Sequence, residues 1–449
     1  MSPEILYLFS NTKLFKELSA LRTAAPRLCY HPDVSEFEDF HYQDGELQCE
    51  SVPLTKVAQE FGTPTYVYSR KTILDNYHEL ENKFSAVDPL ICYSLKANAN
   101  LSILGLLQKA GSGFDVVSGG ELFRLKQIGA DPKKIVFSGV GKTATEMELA
   151  LDWDIYSINI ESQEELDVLT QVSRRKGQKA RIAFRINPDV DAKTHPYIAT
   201  GLNQHKFGVD TQQINSMLEA IRRNPNLQLV GLGFHIGSQI LDVQPFLDAF
   251  TKLKGWADRI RKQGVPIEHL DLGGGLGISY QGEPAPNLKQ YAQVLAQKRR
   301  DYRIVMEPGR FVVGNAGILL TRILYRKTNQ GKSFLVVDAA MNDLLRPSLY
   351  DAHHQILSVY KDRPWTTADV VGPVCETGDF FARNRQVPDA MPGDLLAIMS
   401  TGAYGFCLAS NYNSRGRSAE ILVNGNSWQE IRARESFRDL VRGEILPKT

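Results

Sequence analysis

A chain of 449 residues, 43% hydrophobic and 23% charged, is too long for one ordinary core and has the balance of a soluble globular protein, so two domains are expected. A formal net charge of +1 gives no ground for nucleic acid or an anionic membrane as partner. Five cysteines, scattered and never in C-x-x-C spacing, argue against a disulfide framework or a zinc site and suit the reducing cytoplasm.

The apolar run Ile5-Leu6-Tyr7-Leu8-Phe9 is too short for a signal peptide, and no segment has the apolar length to span a bilayer. Residues 1–35 read as a helical or loose extension, 13–21 being mildly amphipathic. His41-Tyr42-Gln43-Asp44-Gly45-Glu46-Leu47-Gln48 reads as a hairpin turning at Asp-Gly. A helical turn at 57–61 and an extended link at 65–68 follow.

A regular alternation then begins. Strand-like runs fall at 91–96, 113–117, 135–138, 155–160, 181–187, 229–235, 269–272 and 302–307. Amphipathic stretches lie between them at 102–109, 120–128, 143–151, 163–175, 214–223 and 243–262. Such alternation implies parallel strands with crossover helices, and eight strands fit a (β/α)8 barrel, with a doubly wound open sheet as the rival. The unusual residues favour the barrel. Lys96, Asp115, Ser138, Glu161, Asn187, His235, Gly273-Gly274-Gly275 and Glu307-Pro308-Gly309-Arg310 all stand at or just past a strand end, and in a barrel those ends share one face. After Arg310 the runs at 318–326, 333–338, 369–374, 394–399 and 419–423 are β-type. The expected organisation is α/β: a barrel over 64–312, and an all-β domain of 313–449 that takes in 36–63 with its hairpin.

Lys96 ends a buried strand, and a buried ammonium must be paired or give up its proton. It is either a salt-bridged lysine or a Schiff-base lysine pointed into a site. Gly273-Gly274-Gly275-Leu276-Gly277 lacks the Rossmann and P-loop spacings, but after the seventh strand of a barrel it matches that fold's phosphate site; the alternative is a tight turn. Glu307 and Arg310 are either an internal ion pair or, for Glu307, a carboxylate that keeps a pyridine nitrogen protonated. His235 is either a core histidine or a ring lying flat on a cofactor.

Tyr93-Ser94-Leu95-Lys96-Ala97-Asn98, Phe114-Asp115-Val116-Val117-Ser118-Gly119-Gly120-Glu121, His235-Ile236-Gly237-Ser238, Asp271-Leu272-Gly273-Gly274-Gly275 and Glu307-Pro308-Gly309-Arg310 stand in this order. Arg346-Pro347-Ser348-Leu349-Tyr350, Cys375-Glu376-Thr377-Gly378-Asp379 and Gly402-Ala403-Tyr404-Gly405 continue it. From about His41 onward the chain resembles the fold-type III pyridoxal-phosphate decarboxylases, and among them the branch acting on meso-2,6-diaminopimelate to give L-lysine at the end of lysine biosynthesis.

The resemblance implies pyridoxal 5'-phosphate as cofactor, with Lys96 attaching it, His235 stacking on its ring and Glu307 at its pyridine nitrogen. It implies that Asp115, Ser238, Gly273, Gly274, Gly275, Pro308, Gly309, Arg310 and Tyr404 surround the cofactor. Arg310, Arg346, Tyr350, Glu376 and Tyr404 would hold the substrate. Cys375 would be the proton donor, reaching with Glu376 into a partner subunit's barrel, so that the unit is a homodimer with shared sites. The nearest rivals are decarboxylases of ornithine, arginine or lysine. A catalytically dead relative should have lost Lys96 or Cys375, and a racemase should carry arginine where Glu307 stands. Ser348 and the His353-His354 pair depart from the pattern, and both are expected to touch no residue with a role.

Overall fold

The computed structural model describes residues 37, 39–191 and 206–448; the expected N-terminal extension lies outside them. β1 (Phe40–Gln43) and β2 (Glu46–Cys49) form the hairpin expected at Asp44-Gly45. Its two turn residues have φ of 52° and 81°, the left-handed conformation that a two-residue hairpin demands and that Asp and Gly tolerate. With β3 (Val52–Pro53) the hairpin makes a small sheet of its own. It is fastened to the second domain by the Leu47 N–H on the Val359 carbonyl (2.7 Å) and by an apolar cluster that includes Phe40, Leu47, Val57 and Leu357.

β4 (Thr65–Ser69), expected as a link opening the barrel, belongs to the second domain's sheet, so the chain enters the barrel at Arg70 rather than at 64. The reason is burial on both faces: all five residues are inside, and the Tyr68 hydroxyl donates to Glu420 Oε1 at 2.8 Å.

Eight parallel strands then close a barrel: β5 (Leu90–Ser94), β6 (Gly113–Val116), β7 (Ile135–Phe137), β8 (Ser157–Ile160), β9 (Ala180–Arg185), β10 (Leu227–Gly233), β11 (His269–Asp271) and β12 (Arg303–Met306). Each overlaps one of the expected runs. Pairing of Val305 with Leu90 closes the ring and excludes the open-sheet rival. The six expected helices are present, several begun by hydroxyl caps such as Ser118, Thr143 and Ser162. Two more, Arg70–Lys83 and Leu288–Lys298, were not anticipated. The first buries only Ile73, Tyr77 and Leu80 among fourteen residues, so its apolar period is thin.

The second domain contains β13 (Gly317–Asn329), β14 (Lys332–Val337), β15 (Ile356–Ser358), β16 (Trp365–Val371), β17 (Phe380–Pro388), β18 (Leu395–Ile398), β19 (Ala419–Asn424) and β20 (Ser427–Arg432). Their sheet runs β17-β16-β14-β13-β4-β19-β20, with β18 bonded to β13 and β15. No described helix is long and apolar enough to cross a membrane.

In the loop after β7 lies Lys142, its side chain 1% exposed. Its ammonium meets Glu165 Oε1 (2.6 Å) and the carbonyls of Gly139 (2.6 Å) and Asn159 (2.7 Å), tying this loop to β8 and to the helix Gln163–Lys176. Breaking one side of such a pair leaves a buried charge without compensation, at a cost of ~3–5 kcal/mol. Lys142→Met should therefore lower unfolding stability by an amount in that range, ~3–5 kcal/mol, as read from urea denaturation. Adding Glu165→Gln should recover part of the loss.

Candidate active site

At the carboxyl end of the barrel a cavity of about 310 Å³ is lined by, among others, Lys96, Asn159, Arg185, His235, Asp271 and Glu307. Lys96 sits in the 3-10 turn Leu95–Ala97 directly after β5. The second domain holds that turn in place. The Tyr404 N–H donates to the Ala97 carbonyl (2.8 Å), Asn98 Nδ2 to the Gly402 carbonyl (3.3 Å) and Asn100 Nδ2 to Glu420 Oε2 (3.0 Å).

The Lys96 ammonium lies 3.2 Å from Asp115 Oδ2, which also accepts from the Ser94 hydroxyl at 2.6 Å. Burial opposes the charge on Lys96, but Asp115, Tyr404 and Glu307 outweigh it and raise the lysine above its ordinary pKa. The ion pair does not take this lysine away from the cavity. It is ion-paired, and it is the only amine among the residues lining the cavity.

Glu307 follows β12, and its Oε1 accepts from the Ser138 hydroxyl at 3.2 Å. Beside it Asp271 accepts from the Gly273 N–H (2.9 Å) and from Asn159 Nδ2 (3.3 Å), and the Asp271 and Glu307 carboxyls hydrogen-bond to each other. A bond between two carboxyl groups needs a proton. Burial first, then the neighbouring carboxylates Asp115 and Asp271, push Glu307 well above the usual range; Asp271, chiefly by burial, is pushed up to about 6. The alternative of a Glu307–Arg310 ion pair is not realised. Arg310 instead donates to the hydroxyls of Tyr280 (2.8 Å) and Ser238 (3.0 Å), and its guanidinium lies 4.7 Å from the centre of the Tyr404 ring.

His235 accepts the Gly274 N–H on Nδ1 at 3.2 Å, so its ring proton is on Nε2. Burial, then Lys96 and Arg185, keep the imidazole neutral by lowering its pKa well below the usual value. In the glycine loop the amides of Gly273 and Gly274 donate to Asp271 and His235. What demands glycine here is backbone crossing: a Cβ on Gly273, Gly274 or Gly275 would stand 2.3, 2.1 or 2.3 Å from a carbonyl oxygen. Pro308 serves closure, its carbonyl accepting the Ser94 N–H at 3.0 Å. Gly309 lets the chain pass close to Ala97, whose Cβ would be 3.0 Å from a Cβ there.

Arg346 opens the short helix Arg346–Tyr350 and is buried, its Nη1 2.9 Å from His354 Nε2 and its guanidinium 4.9 Å from the centre of the Tyr280 ring. The expectation that the departures touch no residue with a role is therefore overturned. His354 holds Arg346, and Ser348 donates to the carbonyl of Gly378 in the loop that carries Cys375. That loop is shaped by Asp379, which accepts the N–H groups of Met341 and Val374, both at 2.7 Å. Cys375 and Glu376 are exposed and do not line the cavity of their own chain; Cys375 Sγ lies 3.4 Å from Asn413 Oδ1. Glu161 lies behind the cavity wall, where it accepts from Arg185 (3.0 and 3.1 Å) and the amides of Gly139 and Gly208.

Asn159, Arg185, Asp271, Tyr280 and His354 carry geometry here without having been singled out for it. A signal existed for two. Asn159 and Asp271 are polar residues in short, fully buried strands, and buried polar groups need partners that the sequence nearby does not supply.

Three comparisons bear on this arrangement. Residues 70–314 match the family model described as pyridoxal-dependent decarboxylase, pyridoxal binding domain. The diaminopimelate decarboxylase of Pseudomonas aeruginosa is 47% identical over 412 residues, covering 91% of this chain and 99% of that protein. Among solved structures, the Helicobacter pylori diaminopimelate decarboxylase complexed with L-lysine superposes with a TM-score of 0.84 at 43% identity, covering 87% of this chain and 98% of that one. The M. jannaschii diaminopimelate decarboxylase in co-complex with L-lysine gives a TM-score of 0.87 at 35% identity, covering 92% of this chain and 99% of that one.

Because Asp271 holds its proton more tightly folded than unfolded, the folded state gains proton-linked stability that is fully present at low pH. That contribution is lost as pH rises from the unfolded value, about 4, through the folded value of about 6. In the cofactor-free protein, Asp271→Asn should flatten the pH dependence of the urea midpoint in this window relative to wild type.

Proposed function

The chain belongs to the pyridoxal-dependent decarboxylases, and from that premise we propose that it removes carbon dioxide from meso-2,6-diaminopimelate to give L-lysine, using pyridoxal 5'-phosphate. The observation that carries the substrate is a pair of buried arginines, Arg310 and Arg346, with no carboxylate partner among the described residues. Arg310 would also face the cofactor's phosphate, but a decarboxylase of ornithine or lysine has no use for a second buried cation, Arg346, beside it. A substrate with an amino-acid group at each end supplies the missing carboxylate, which arginine binds through paired hydrogen bonds.

The residues present fit the cofactor. The cavity is lined by one amine, a neutral imidazole and two buried carboxyls, and behind the amine Asp115 Oδ1 is buried without a partner. Lys96 would hold the cofactor covalently, His235 would lie against its ring and Glu307 would face its nitrogen. Ser238, Arg310, Tyr404 and the amide of Gly275 would surround its phosphate. When bound, pyridoxal phosphate supplies the electron sink for the pair left by departing carbon dioxide. The remaining work belongs to the chain. Asp115 fixes the Lys96 ammonium, and the Asp271–Glu307 pair keeps a proton where the ring nitrogen would lie. Arg310, Arg346 and Tyr350 orient the distal end, and Glu376 takes the distal ammonium. Cys375 Sγ delivers a proton to the carbon that has lost its carboxylate.

Cys375 and Glu376 stand exposed and apart from their own chain's cavity, which supports the reading that they serve a partner's cavity in a homodimer. The four described cysteines are unpaired, in keeping with a cytoplasmic placement.

Carbon dioxide release from meso-diaminopimelate, lysine, ornithine and arginine, each offered separately to the holoenzyme, tests the function. Release should be confined to the first, and preference for another would transfer the assignment. Arg346→Ala should lower kcat/KM for meso-diaminopimelate by at least about a hundredfold, from the ~2–5 kcal/mol cost of unpairing a desolvated charge. The cofactor spectrum should stay unchanged. Mixing inactive Lys96→Ala with inactive Cys375→Ala protein should restore some activity, since one site of the hybrid dimer carries both wild-type residues. Demonstrated subunit exchange without recovery would refute the shared site.

A further inference from the structure

Two buried guanidinium groups set side by side need a counter-group whether or not substrate is bound. Arg310 is 6% and Arg346 5% exposed, and each keeps a buried Nε–H with no partner. Between them stands Tyr280, from the loop after β11. Its hydroxyl accepts from Arg310 Nη1 at 2.8 Å and is also hydrogen-bonded to Arg346. Its ring centre lies 4.9 Å from the Arg346 guanidinium and 5.9 Å from that of Arg310. On the far side of Arg346, His354 adds no charge: its Nδ1 donates to the Met399 carbonyl (2.8 Å), which leaves Nε2 as an acceptor for the arginine. The protein thus presents more guanidinium N–H groups than its own acceptors fill.

We propose that Tyr280 is a positioning residue that keeps Arg310 and Arg346 aligned in the substrate-free site and releases their N–H groups to the distal carboxylate of an amino dicarboxylic acid. This rests on the substrate reading above. A phenol suits the task where an aspartate or glutamate would not. A carboxylate there would form paired, charge-assisted bonds with arginine, and the substrate would have to break them while facing a like charge. The neutral, single-oxygen acceptor is the weaker partner, so a carboxylate displaces it. A diamino acid with one carboxylate brings nothing that displaces it, and the arginines stay on Tyr280. Selectivity for a second carboxylate then lies in the exchange of partners as well as in the arginines.

The test uses wild-type and Tyr280→Phe holoenzyme, with inorganic sulfate and pimelate, a dicarboxylate without amines, as probes. Without the phenol oxygen the arginines accept any small anion. Competitive inhibition of diaminopimelate turnover by sulfate should tighten at least about tenfold in Tyr280→Phe relative to wild type. A residue that only filled space would lower kcat or cofactor content and leave sulfate inhibition unchanged; equal sulfate inhibition in both proteins overturns the proposal. Should the variant fail to fold, the wild type decides. Pimelate should give a saturable tyrosine difference signal in the ultraviolet as Tyr280 loses its arginine, and pimelate inhibition without that signal overturns the proposal. If wild type is not inhibited by pimelate and does not act on diaminopimelate, the substrate reading fails and the proposal fails with it.

Discussion

One ammonium faces three buried carboxyl groups at the mouth of the barrel, and the arrangement of the site follows from how that imbalance is settled. Lys96 is paired with Asp115. Asp271 and Glu307, pressed together out of water, keep one proton between them because two bare carboxylates at that distance would repel and be poorly solvated. Counting Asp115 and the pair as one negative charge each against Lys96, one negative charge is left over. It lies on the Asp271–Glu307 pair, where the protonated nitrogen of a heterocyclic cofactor would be neutralised. The same unbalanced charge would favour a cationic ring at that place.

Two domains are needed to maintain this. The barrel supplies the carboxyls, but the turn bearing Lys96 is braced from outside by Tyr404, Asn98 and Asn100 in contact with the second domain. β4 explains how closely the two are joined, since it lies in the large sheet and leads directly into the barrel's first helix. The second domain also contributes Arg346 and His354, so the buried guanidinium pair, proposed above to read the substrate's far end, is shared between Arg310 of one domain and Arg346 of the other. The two halves of the site have opposite character: surplus negative charge near Lys96, surplus positive charge near Tyr280.

Much of this was legible in the sequence, for physical reasons that differ by element. The eight barrel strands were readable because each is a short apolar run that stops at a polar or glycine residue, and chemistry collects at those stops. β4 was misread because Thr65-Tyr66-Val67-Tyr68 is brief and nothing local tells a connecting segment from a central strand. Lys96 and Glu307 could be picked out by position, whereas Asp271 is just as central and went without a role; its importance lies in a contact with Glu307, 36 residues further along the chain. Tyr280 and His354 were beyond reach for the same reason. Their meaning is given by two arginines from distant segments, and no spacing rule connects them. The glycine loop is legible as a motif, but the backbone crossings that require glycine there, and the bonds of two of its amides to Asp271 and His235, are set by segments remote in sequence.

The central claim is that the Lys96–carboxyl assembly exists to hold and use a cofactor and is not a structural ion pair. Lys96→Ala, reconstituted with pyridoxal phosphate, tests it through three readings on one sample: thermal unfolding, visible absorbance of attached cofactor, and carbon dioxide release from meso-diaminopimelate. The account predicts a folded protein with no attached-cofactor absorbance and no release. A variant that unfolds more easily yet keeps the absorbance and near-normal release would contradict it.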